Sequence, residues 1–140
     1  MVITTLNENN NNVIKKLNLN IQEIKLLKIF ESFYNNYDNF NILYSIINGT
    51  NILSKRTIEY FVTKYSNIQN TIIETNHNKN IYLSYKDQLK TYKKKYFDPF
   101  GRGDRIPYFS NNNCIITTIA QLNFYKWFIS EKIYEYCLDN

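Results

Sequence analysis

Apolar side chains recur at helical spacing along most of the chain. In "IQEIKLLKIFESFY", Ile21, Ile24, Leu27, Phe30 and Phe33 or Tyr34 share one face, and Asn20 with Glu23 supplies an N-cap pair. A helix is therefore expected from Asn20. Asp38 is the expected cap of a shorter one, "NFNILYSIIN", which places Phe40, Leu43, Tyr44 and Ile47 together and ends at Asn48-Gly49. Ser54 opens a third, "SKRTIEYFVTKYS", where Ile58, Phe61, Val62 and Tyr65 stand at i, i+3, i+4 and i+7 and form one buried stripe. Lys55, Arg56, Glu59 and Lys64 take its other faces.

The middle of the chain changes period. "TIIET" and "NIYLSY" are short β-rich runs around Asn76-His77-Asn78-Lys79, which predicts a hairpin with His77 on its tip. Ser84 with Asp87 is the expected cap of a fourth helix that Pro99 stops, because the residue before a proline is pushed out of α geometry. In "YFDPF", Phe97 and Phe100 are expected to plug the core while Asp98 turns the chain. "RIPYF" and "CIIT" flank Asn111 to Asn113 as a second hairpin, with Pro107 limiting its strand to an edge. A last helix, capped by Thr118 with Gln121, runs through "IAQLNFYKWFISEKIYEYCL" and is apolar around much of its girth, so it belongs at the centre. The predicted fold class is α+β: a mostly helical single domain of four or five helices with two small β-hairpins. Residues 1–19 are polar and dominated by Asn7 and Asn9 to Asn12, and are expected to form a flexible Asn-rich arm before one globular domain over 20–140.

Composition narrows this. A chain of 140 residues with 44% hydrophobic and 16% aromatic content closes one core without disulfides or metal. Cys114 and Cys137 form no C-x-x-C pair and read as reduced thiols. The start carries no basic and apolar export pattern, and no segment approaches the roughly 18 apolar residues of a spanning helix, so no membrane association is expected. Asn, Lys, Ile, Tyr and Phe, all with A/T-rich codons, make up 79 of the 140 residues, so an A/T-rich genome accounts for part of the lysine content.

The charge is nevertheless uneven. Residues 51–105 carry eleven basic and five acidic groups, against four and four in residues 1–50 and two and three in 106–140. On the fourth helix Tyr85, Leu89, Tyr92 and Tyr96 form one stripe, and Lys86, Lys90, Lys93 and Lys94 fall on an adjoining arc. Lys95, Arg102 and Arg105 follow at once. A lysine ridge suits a phosphate backbone, whose bound counterions are released on contact, and arginine adds bidentate contacts. The candidate nucleic-acid-binding residues are thus Lys86, Lys90, Lys93, Lys94, Lys95, Arg102 and Arg105, joined by Lys55 and Arg56 of the third helix. The same pattern also suits the wet side of an ordinary amphipathic helix. Arg102-Gly103-Asp104 matches a cell-adhesion tripeptide, though a tight turn is the simpler reading.

Catalytic chemistry finds no framework. Nucleophile elbow, P-loop, dinucleotide fingerprint and H-x-x-x-H are all missing, and the leftover candidates Cys114 and Asp98 have no base or orienting group in view. A non-enzymatic protein without cofactor or metal is expected.

Three blocks, "ILYSIINGTNILSKRTIEYFVTKYS", "YLSYKDQLKTYKKKYFDPFGRGDRI" and "TTIAQLNFYKWFISEKIYEYC", together resemble an uncharacterised family of small proteins of nucleocytoplasmic large DNA viruses, mimivirus-like giants among them. The likeness spans about residues 42–137 and leaves the N-terminal arm outside. The family's loop after "FDPF" is usually more basic; here Gly101, Gly103 and Asp104 dilute it. The resemblance implies a viral context, in the virus factory of the host cytoplasm or in the virion, and no activity. Two functional expectations follow: an accessory protein binding DNA or another polyanion, or a virion structural or assembly protein, a minor capsid or core component, contacting other viral proteins.

Overall fold

The computed structural model describes residues 2–74 and 77–140, with side chains from Glu8 onward, so Asn7 and Asn76 of the expected arm and turn lie outside it as side chains. The described residues form seven helices and two antiparallel hairpins in one α+β domain. In chain order these are α1 (Val2–Leu17), α2 (Ile21–Tyr34), α3 (Tyr37–Asn48), α4 (residues 55–69), β1 (Ile72–Ile73), β2 (Lys79–Asn80), α5 (Ile81–Tyr96), β3 (Ile106–Ser110), β4 (Asn113–Thr117), α6 (Ile119–Ser130) and α7 (Ile133–Asp139).

Two helices exceed the expected four or five. One is α1, which stands where a loose arm was expected and packs on β3. The other arises because the last helix breaks at Lys132, which takes a left-handed conformation (φ 67°, ψ 15°) and donates its N–H to the Ile129 carbonyl, 3.1 Å.

Caps explain most boundaries. Asn20 and Glu23 form the reciprocal capping box, Ser54 and Thr118 accept the N–H groups of Thr57 and Gln121, and Gly49 (φ 75°) ends α3. Two expected caps are replaced. Asn36, not Asp38, accepts the Asn39 N–H at 3.0 Å, and Asn80, not Ser84, accepts the Leu83 N–H at 2.9 Å. The second change draws "IYLSY" into α5 and leaves the first hairpin only two residues a side, with His77 exposed beside its turn.

Helix α6 is the hub: α2, α3, α5 and α7 all pack on it, and its residues from Ile119 to Tyr125, with Trp127 and Phe128, are buried. Phe97 lies 5.1 Å from Phe124 and 5.5 Å from Trp127 between ring centroids. Each such buried ring contributes roughly 1.5–3 kcal/mol. The Tyr34 hydroxyl donates to the Leu122 carbonyl at 2.7 Å, while Ser110 Oγ and Asn111 Nδ2 donate to the Tyr34 carbonyl left open at the end of α2.

In the second hairpin Ile106 pairs with Thr117, Tyr108 with Ile115 and Ser110 with Asn113, across a two-residue turn in which Asn111 (φ 48°) and Asn112 (φ 64°) are both left-handed. The register turns the backbone of Pro107 and Phe109 away from β4. Pro107 offers no N–H there, and Asn10 of α1 closes the rest: Asn10 Nδ2 donates to the Phe109 carbonyl at 2.9 Å, and the Phe109 N–H donates to Asn10 Oδ1 at 3.0 Å. An amide side chain thus replaces a neighbouring strand, which is why this asparagine is buried.

Tyr108 points into the core with no partner for its hydroxyl, and burial followed by the nearby Glu31 charge pushes its pKa up. Tyr108→Phe should therefore leave stability unchanged or raise it by about 1 kcal/mol, whereas Tyr34→Phe should lower it by about 1–2 kcal/mol. Urea titration of the two variants checks the opposite signs.

Candidate nucleic-acid interface

The lysine helix is anchored as its tyrosines suggest. Tyr85 and Tyr96 are buried, Leu89 and Tyr92 half-buried, and the Trp127 indole N–H donates to Ser84 Oγ at 2.9 Å. Lys86, Lys90, Lys93, Lys94 and Lys95 are all exposed. Among the described residues the ion pairs are Lys79–Glu131 and Arg102–Asp98, and neither involves these lysines.

The ridge is not straight. Lys93 has φ 59° and ψ 174°, a region that residues other than glycine rarely enter, so regular helix stops at Tyr92 and Lys94 and Lys95 follow in a redirected turn. Beyond the bend the chain is held from α6: Asn123 Nδ2 donates to the Tyr96 carbonyl at 2.8 Å, and Tyr96 and Phe97 are both buried. The strain at Lys93 costs about 1–3 kcal/mol. Lys93→Gly should accordingly stabilise the fold by about 1 kcal/mol after glycine's own entropic cost, while Lys93→Ala, which keeps the Cβ, should not; thermal melts of the pair check this.

Arg102 is already engaged. Its Nη1 donates to Asp98 Oδ2 at 2.9 Å, while Asp98 Oδ1 accepts the Phe100 N–H at 3.0 Å, so the buried carboxylate both turns the chain and holds the guanidinium. This is also what the Arg102-Gly103-Asp104 tripeptide does: its arginine faces its own loop. Arg105 Nη1 reaches Gln121 Oε1 at 3.3 Å. Lys95 and Arg102 line an open cavity of about 310 Å³ beside Glu23 and Asp104, so charge there is balanced. Lys55 and Arg56 occupy the first two positions of α4, whose central segment packs on α5.

A polar seam missed by the sequence reading holds the loop after α5. Gln121 Nε2 and the Tyr125 hydroxyl both donate to the Pro99 carbonyl, at 3.2 and 3.0 Å, from an otherwise apolar helix. Buried amides inside "IAQLNFY" were the available signal. Also missed was the π-helical turn at Phe61–Tyr65, where the Ser66 N–H reaches the Phe61 carbonyl. The wider turn buries Ile58, Val62 and Ser66 and puts Tyr65, assigned above to the buried stripe, on the surface. Cys114 is exposed and Cys137 half-buried; burial pushes the Cys137 thiol up to about 12, and desolvation also raises that of Cys114.

No helix of the described residues is long and apolar enough to cross a membrane. No solved structure matches the chain. A relative, "Uncharacterized protein L507" of Acanthamoeba polyphaga mimivirus, is 32% identical over 148 residues, covering 96% of this chain and 57% of that protein. The model of a family described as "Family of unknown function (DUF7197)" matches residues 4–140, so all of α1 but its first two residues, outside the resemblance read from sequence, lies within the match. The chain belongs to this family of unknown function, which has giant-virus members.

Proposed function

We propose that the protein is a non-enzymatic viral accessory protein that binds nucleic acid through the lysine face of α5, in the virus factory of the host cytoplasm or in the virion. The supporting observation is that five lysines, Lys86, Lys90, Lys93, Lys94 and Lys95, stand exposed on one anchored element with no carboxylate paired to them among the described residues. Arg105 extends the surface, while Arg102 contributes less because Asp98 already neutralises it. The viral relative supports the context.

Fluorescence anisotropy of labelled DNA across a salt series tests this. The wild type should bind with an affinity that falls as salt rises, and a Lys86→Glu/Lys90→Glu/Lys93→Glu/Lys94→Glu variant should bind on the order of a hundredfold more weakly, with a salt slope smaller by about three to four. Equal or salt-insensitive binding by both proteins would falsify the reading.

A specific feature favours the second reading, a virion structural or assembly role. The outer edge of β3 is closed by Pro107 and Asn10, whereas β4 presents an exposed Cys114 and a 60% exposed Ile116 on the other side of the hairpin. Cross-linking of purified particles that captures this chain through β4 would support it.

A further inference from the structure

We infer that the surface of α4 around its π-helical turn is a stacking platform for the bases of single-stranded nucleic acid; this deepens the nucleic-acid reading by naming the form of polymer bound. Tyr60 and Tyr65 are 47% and 45% exposed, and Phe61 stacks on Tyr65 with ring centroids 5.5 Å apart and planes 24° from parallel. An ordinary helix would turn Tyr65 toward the core; the extra residue in the turn presents it outward. The rings border two open cavities, of about 390 and 450 Å³, that share Thr57, Phe61 and Tyr65. Arg56 lines the smaller one.

The cations around this surface are not placed to stabilise the helix: Lys55 and Arg56 occupy the first two positions of α4, where the helix dipole disfavours positive charge. Lys64 is exposed next to Tyr65. None of Lys55, Arg56 and Lys64 belongs to an ion pair among the described residues, and Glu59, half-buried, is the acidic group on this helix. Flat, half-exposed rings flanked by unpaired cations fit a ligand that offers a π-face and a phosphate at each repeat. A duplex keeps its bases stacked inside and an acidic peptide lacks the repeating faces, so single-stranded DNA or RNA is the partner this chemistry selects.

The test uses the full chain, a fluorescein-labelled oligothymidylate of about twelve nucleotides and a duplex of the same length. Tyr60→Leu/Tyr65→Leu keeps apolar surface at two exposed positions; it should weaken oligothymidylate binding about tenfold or more while leaving duplex affinity and salt slope unchanged. Unchanged oligothymidylate binding, an equal loss on both probes, or displacement by polyglutamate as readily as by oligothymidylate overturns the platform. Should the double variant fail to fold, photocross-linking of the wild type with a 4-thiothymidine oligonucleotide decides: adducts at residues 60–65 support the platform and adducts confined elsewhere overturn it. The parent reading fails separately, if reversing the α5 lysines changes neither probe while the tyrosine variant still loses oligothymidylate. Absence of binding to either probe overturns both.

Discussion

Gly101→Ala should lower the unfolding free energy by about 3–5 kcal/mol, combining a left-handed backbone penalty with overpacking of a buried site. Gly101 has φ +67°, and a Cβ placed there would stand 2.5 Å from Gln121 Cγ and 2.6 Å from both Gln121 Cδ and Thr118 Oγ1. Neither neighbour can yield cheaply. Thr118 Oγ1 caps α6 by accepting the Gln121 N–H, and the Gln121 side chain accepts from the Thr117 hydroxyl at 2.8 Å and donates to the Pro99 carbonyl at 3.2 Å. Moving either would release the loop that Asp98 and Arg102 also stitch. Gly103→Ala is the control: its φ of +118° still disfavours a side chain, but nothing lies within 4 Å of its Cβ position, so only the conformational penalty should appear. Denaturant titrations of the two variants should differ by about 2 kcal/mol or more; similar losses would mean that the close approach at Gly101 is relieved by small shifts.

Asn10→Leu should cost about 2–4 kcal/mol, since it leaves both the N–H and the carbonyl of Phe109 without partners under an apolar side chain. The aspartate variant is the sharper probe. It can still accept from the Phe109 N–H, but its second oxygen then faces the Phe109 carbonyl and Glu31, to which Asn10 Nδ2 now donates at 3.3 Å. Crowding by those oxygens raises the folded pKa of the new carboxyl above its unfolded value. The sign follows: the protonated form is favoured by folding, so the deficit of this variant should shrink as pH falls through the carboxylate range and be full near neutrality. A loss that does not depend on pH would argue that the carboxylate has turned to solvent. Concentration-dependent sedimentation should also rise for the leucine variant, because its β3 edge no longer has a side-chain cover.

The lysine helix illustrates where local patterning stops. The tyrosine stripe and the exposed lysines of α5 were legible because both depend on helical period alone, and Tyr85 and Tyr96 are buried as that period requires. The kink at Lys93 was not: the chain just beyond it is held by Asn123 on α6, which is thirty residues from Lys93 in sequence and becomes a neighbour only when α5 packs on α6. The state of Arg102 was equally hidden. A buried Asp98 holds it, and burial is a property of the assembled core. In the first nineteen residues the asparagine run carries no apolar period, so a loose arm was the natural reading; one of those asparagines matches the open edge of a strand ninety-nine positions later, and that match fixes α1 in place.

Sequence alone determined the presence of five helices, though not the start of α5 or the break before α7, together with the second hairpin with its asparagine turn, the central role of "IAQLNFYKWF" and the lysine-rich middle of the chain. These follow from short-range causes: side-chain period, caps that accept N–H groups three residues on, and left-handed asparagine and glycine. Tertiary structure decided what became of α1, the break at Lys132, the π turn that exposes Tyr65, the bend of the lysine ridge and the pairing of Arg102. Each of those depends on which distant carbonyl, carboxylate or ring arrives beside it, and only the packing of α6 against its neighbours brings them there.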